Sequence, residues 1–79
     1  MILMNRIKKM TSEQIQTYLY ALARKPYSAD KEARMSRFRV WHALCQEYVK
    51  RHGDDQMDEL LDKLEAIIIA VNNFEVSYE

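Results

Sequence analysis

Seventy-nine residues, 48% hydrophobic and 30% charged, make one small globular domain, too apolar for a disordered chain and too short for a thick core. One Gly and one Pro exclude an all-β fold, which needs turn residues about every 8 to 12 positions, and a single Cys excludes an internal disulfide framework. Net charge is zero, yet residues 1–52 hold eleven Lys/Arg against four Asp/Glu and residues 53–79 hold one against eight, so opposite fields of seven charges meet near Gly53.

Met1 to Met10 contain no apolar run long enough for a signal peptide, and no stretch of 18 apolar residues occurs that would cross a membrane. Cytoplasm is the expected compartment, which a single unpaired Cys suits. Residues 1–10 are expected as a flexible or extended tail.

The first predicted helix covers about 11–24. Thr11 and Gln14 are spaced to cap each other's backbone amides, and Met10 and Ile15 to form a hydrophobic staple. Ile15, Tyr18, Leu19 and Leu22 then fall on one helical face. Pro26 ends the helix, because the residue before a proline is pushed out of the α region.

The second predicted helix covers about 29–52, with Ser28 as its expected cap and Asp30 and Glu32 in the first turn, where the helix dipole favours negative charge. Phe38, Trp41, Cys45 and Tyr48 repeat at 3-4-3 spacing as its apolar stripe, flanked by Leu44 and Val49, and Val40 leaves that face. Lys50, Arg51 and His52 suit its carbonyl end, and Gly53 its left-handed termination.

The third predicted helix covers about 55–72. Asp54 or Asp55 caps it, and Met57, Leu60, Leu61, Leu64, Ile67, Ile68 and Val71 form a broad stripe. Asn72 and Asn73 are read as its stop, since Asn tolerates the left-handed conformation. Residues 74–79 alternate apolar and polar, as an extended or strand-like tail does. Short connections favour antiparallel neighbours, so the expected fold is all-α: a three-helix antiparallel arrangement around a long central helix.

Two features carry functional expectations. Arg34, Arg37 and Arg39 form the densest basic cluster, and helical spacing places Arg34 and Arg37 on the side of Trp41. Such a cluster reads either as arginine stems lying over apolar neighbours or, with Tyr27 and Trp41, as a patch for acidic protein or phosphate. Ile69 points away from the stripe of its helix and, with Val40, Phe74, Val76 and Tyr78, is expected to make a second apolar surface. The acidic first turns of the third helix are expected beside Lys50 and Arg51, and Glu65 beside Arg37 or Arg39. The same two fields would also answer each other between copies, so a homo-oligomer, a dimer in the first instance, is expected.

Catalytic, cofactor and metal roles find no pattern to rest on. A structural zinc site brings paired ligands from two places, whereas His42 and Cys45 have no second Cys to join them. Cys45, mid-stripe, is expected as a small buried hydrophobe. One Gly cannot build a phosphate-cradling loop. Two other classes stay open beside protein binding: a nucleic-acid-binding regulator using Arg34, Arg37, Arg39, Lys8, Lys9 and Lys31, and a self-assembling structural homo-oligomer. The pI near 6.7 and the acidic third helix weigh against the former. The reading is a non-enzymatic helical module (adaptor, chaperone or regulatory modulator) binding another protein through Tyr27, Arg34, Arg37, Arg39, Trp41, Ile69, Phe74, Val76 and Tyr78.

Overall fold

The computed structural model describes the backbone of residues 2–26 and 28–76 and the side chains of 5–26 and 28–72. Within them lie four helices and no strand: α1 (Ile2–Lys9), α2 (Ser12–Ala23), α3 (Lys31–His52) and α4 (Asp54–Val76). Helix α3 packs on each of the other three, and α2 also packs on α4. The molecule measures 42 × 28 × 16 Å. Its short dimension holds about two helix layers at 8–10 Å between axes, so every helix keeps one face open.

Residues 2–9, expected as a tail, form α1 instead. Leu3, Ile7 and Met10 stand at i, i+4 and i+7, and Ile7 is buried in the common core. A stripe that short is marginal alone, and beside the burial of Ile7 it is tied to α3 by Arg51, whose Nη2 donates to the carbonyls of Ile7 (3.3 Å) and Lys8 (3.0 Å). The last-turn carbonyls of α1 thus find a cationic donor from elsewhere in the chain.

The capping box of α2 is present on both sides. The amide of Gln14 donates to Thr11 Oγ1, and the amide of Thr11 donates to Gln14 Oε1. Its buried face is Ile15, Leu19 and Ala23, with Tyr18 exposed, so the stripe is rotated from the one expected. Asp30, not Ser28, caps α3, accepting from the amide of Glu32, while Ser28 accepts from the amide of Asp30. Ser12 and Gln16, in the first turns of α2, meet Arg51 and Tyr48, near the end of α3. Pro26, beyond the end of α2, meets Arg37 in the first half of α3. The two helices therefore run in opposite directions.

The face that α3 buries is Ala43, Leu44, Glu47 and Tyr48, against Ile15, Leu19, Met57, Leu60 and Leu64 of α2 and α4. Of the expected 38-41-45-48 stripe, Tyr48 is buried and Trp41 and Cys45 are half-buried against the core, whereas Phe38 is 68% exposed; Val40, expected off that face, also packs on the core. Gly53 alone connects α3 to α4, donating its amide to Val49 (2.8 Å) while its carbonyl accepts from Met57 (3.2 Å). Its φ of 89° and ψ of 169° are more extended than the left-handed helical conformation, in a region essentially confined to glycine.

Helix α4 passes through Asn72 and Asn73 to Val76, which corrects both the expected stop and the extended tail from 74 to 76; residues 77–79 lie outside the described residues. Asn72 turns its amide back onto the Ile68 carbonyl (2.8 Å), a bond made within a helix, and no Gly or Pro follows to break it. No helix among the described residues is long and apolar enough to cross a membrane.

Candidate functional site

An open groove of about 630 Å³ lies where the end of α2, the first half of α3 and the middle of α4 converge. Leu22, Trp41, Leu61 and Ile68, all half-buried, form its apolar walls. Met35 (50% exposed) and Phe38 (68% exposed) stand at its mouth, with the Phe38 ring stacked on His42 at 6.1 Å between centroids. Lys25, Arg34, Arg37, Arg39 and Glu65 supply its charge.

The helical frame explains this composition. Met35, Phe38 and Trp41 recur at three-residue spacing, which drifts slowly round an α-helix, and Arg34 and Arg37 flank them. Helix α2 ends at Ala23, and of it only Leu22 and Ala23 line the groove beside the first half of α3. Leu61, Glu65 and Ile68 come from α4 at i, i+4 and i+7, a single side of that helix. Of the cationic groups, Arg37 is held by donating Nη1 to the Pro26 carbonyl at 3.0 Å, while Arg34 and Arg39 are exposed.

Arg34, Arg37, Arg39 and Trp41 are thus brought together, four of the nine residues expected to bind. Ile69 is 55% exposed and stands outside the groove walls, on the back of α4. Tyr27 and Tyr78 lie outside the described residues, as do the side chains of Phe74 and Val76, whose backbone is helical. The other groove residues were not expected to bind; among them Met35 and Phe38 are the exposed large hydrophobes, and Phe38 is expected from its spacing in the core. A signal was available, because Arg34, Arg37 and Arg39 surround these residues and a core face does not alternate with arginines.

The expected ion pairs between α3 and α4 are not formed. Among the described residues the one ion pair is Arg51–Glu47 (2.9 Å), inside α3, and Arg51 spends its other donors on Ser12 and on α1. Asp54, Asp55, Asp58, Glu59, Asp62 and Glu65 are all exposed. The acidic field of α4 is therefore left open to solvent beside the basic mouth of the groove.

Cys45 is half-buried, and desolvation pushes its thiol up to about 11 from 9.0. A thiol protonated throughout the neutral range is a poor nucleophile. Since thiolate is the reacting form, alkylation of the native chain by iodoacetamide at pH 8 should run about 100-fold slower than that of an unhindered thiol of ordinary pKa. The lag should shrink as pH rises towards 11 and vanish in denaturant. A native rate equal to the denatured rate would show Cys45 to be solvated. Among the described residues no three His, Cys, Asp or Glu side chains converge, and no buried side-chain polar atom lacks a partner.

No protein-family model matches the chain, and neither curated proteins nor solved structures include one similar to it.

Proposed function

We propose that this chain is a non-enzymatic protein-binding module, an adaptor, chaperone or regulatory modulator, whose docking surface is the groove between α2, α3 and α4. The observation that carries this reading is an apolar groove whose mouth is held open by two exposed large hydrophobes, Met35 and Phe38, and edged by four cations. Apolar surface of this kind is costly to leave in water, and where it is contiguous it marks interaction sites. Its length along α3 suits an amphipathic helix with anchors at i, i+3, i+4 and i+7. Arginine around an aromatic floor supplies the residue types that dominate interface energetics.

The charge of the groove selects among such helices. Four cations against Glu65 favour a ligand with carboxylates flanking its apolar face, since like charges across an interface cost several kcal/mol. Nucleic acid fits less well. Lys8 and Lys9 sit at the Arg51 end of α3 and Arg34 near its start, about 25 Å away along the helix, so the six candidate basic residues form no single surface.

Trp41, the only tryptophan, stands in the groove wall and reports on its occupancy. Titration with a synthetic helix carrying Leu on one face and Glu on the other should shift Trp41 emission to the blue. A Leu/Lys helix of the same apolar face should bind about tenfold or more weakly. If neither peptide moved the emission, or if the Lys helix bound better, the docking reading would fail. Retention of a labelled DNA duplex at about 50 mM salt, lost steeply as salt rises, would replace it with the nucleic-acid reading.

A further inference from the structure

We infer that the groove is made for a second copy of this chain, which presents the back of its α4; this rests on the docking reading above and names the partner. On α4, Asp55, Asp58, Asp62, Glu65 and Ile69 follow one another at 3-4-3-4 spacing and are all exposed. They occupy about 80° of the helix circumference, with Ile69 near the middle, on the side opposite Leu60 and Leu64. The result is an acidic ridge bearing one apolar knob. The groove of the same molecule is its counterpart, an apolar slot edged by Lys25, Arg34, Arg37 and Arg39.

The two surfaces adjoin, because Glu65 belongs to both. A two-fold axis near Glu65 would set the ridge of each copy into the groove of the other, repeating the contact twice, as an isologous interface requires. Charge arithmetic favours this occupant over a foreign acidic helix. The halves of the chain carry equal and opposite surpluses, and among the described residues no ion pair joins α3 to α4. A foreign acidic helix would answer the arginines of the groove but leave the carboxylates of the ridge, Asp62 and Glu65 among them, without cations. A second copy carries those carboxylates across onto its partner's arginines and satisfies both fields together.

Molar mass by light scattering during size exclusion tests the inference on the full chain. The wild type should run as two copies at about 50 mM salt and shift towards one copy at about 500 mM, where the Debye length is only a few ångströms. Arg34→Glu with Arg39→Glu should weaken self-association about 100-fold, and so should Asp62→Lys with Glu65→Lys. These four side chains are exposed and, among the described residues, make no hydrogen bond or ion pair, so each double variant should keep the wild-type helical circular dichroism. Mixing the two variants restores opposite charges at both contacts, and the two-copy mass should return.

A two-copy species indifferent to both charge reversals, or variants that do not recombine on mixing, would overturn this geometry. A wild type that stays single at about 50 mM salt would overturn the second copy as occupant. In that case a Trp41 response to the Leu/Glu helix would leave the docking reading standing, and silence from Trp41 would remove both.

Discussion

Replacing Arg51 by Ala should destabilise this chain by about 3 kcal/mol or more, enough to lower Tm by roughly 12 °C or beyond for a domain of this size. Glu47 is 7% exposed, and its carboxylate is held by Arg51 Nε at 2.9 Å. Removing the guanidinium leaves that carboxylate buried and unanswered, the costly way to break such a pair. The same guanidinium donates to Ser12 Oγ and to the carbonyls of Ile7 and Lys8, so α1 loses these polar ties to α3, while the start of α2 loses one and keeps the Gln16–Tyr48 and Ser12–His52 contacts. By contrast, at about 500 mM salt, where the chain is expected as a single copy, Arg39→Ala removes an exposed charge and should change stability by less than about 0.5 kcal/mol. Replacing both partners, Glu47→Leu with Arg51→Met, should recover much of the loss, because no charge is then stranded. Thermal melts of the three variants decide the matter. An Arg51→Ala drop no larger than that of Arg39→Ala would mean that the pair is solvated and that α1 is held by other contacts.

Leu44→Ala should cost about 2–5 kcal/mol, whereas Phe38→Ala should cost under about 1 kcal/mol when measured at about 500 mM salt, where the chain is expected as a single copy. Leu44 is 1% exposed and packs among Ile15, Leu19, Tyr48, Leu60 and Leu64, so truncation leaves a cavity in a core with little freedom to collapse. Phe38 is 68% exposed, and most of its ring surface is already in water. The order reverses what side-chain size alone suggests, and denaturant melts of both variants measure it. Equal costs would mean that Phe38 is covered in solution. Repeating the Phe38→Ala melt at about 50 mM salt then separates burial between copies, which depends on chain concentration, from burial within one chain, which does not.

The elements most legible in the residues were those set by neighbours in the chain. Thr11 and Gln14 cap each other because a capping box needs only three-residue spacing and a helix that begins there. Gly53 ends α3 because its positive φ excludes other residues, and the paucity of Gly and Pro leaves long helices as the remaining architecture. Where local signals were mutually compatible, the reading went astray. Asn72 and Asn73 tolerate a left-handed stop, but they tolerate a helix too, and Asn72 completes one by bonding to Ile68. Residues 2–9 carry a helical period too short to stand alone, and they are tied down by Ile7 in the common core and by an arginine more than forty positions away.

The site divides in the same way. The opposite charges of the two halves and the company of Arg34, Arg37 and Arg39 with Trp41 follow from residue order and the helical period alone. How far round α3 the core extends does not, because 38-41-45-48 and the buried 43-44-47-48 are neighbouring faces that share Tyr48. The choice between them was made by packing: α2 and α4 cover Leu44, Glu47 and Tyr48, and α2 stops too early to cover Met35 and Phe38. The same packing gave Arg51 to Glu47 and α1 rather than to the acids of α4. Covalent neighbours decide where a helix starts and ends over a few ångströms, whereas the exposure of a face depends on the lengths and directions of every helix around it.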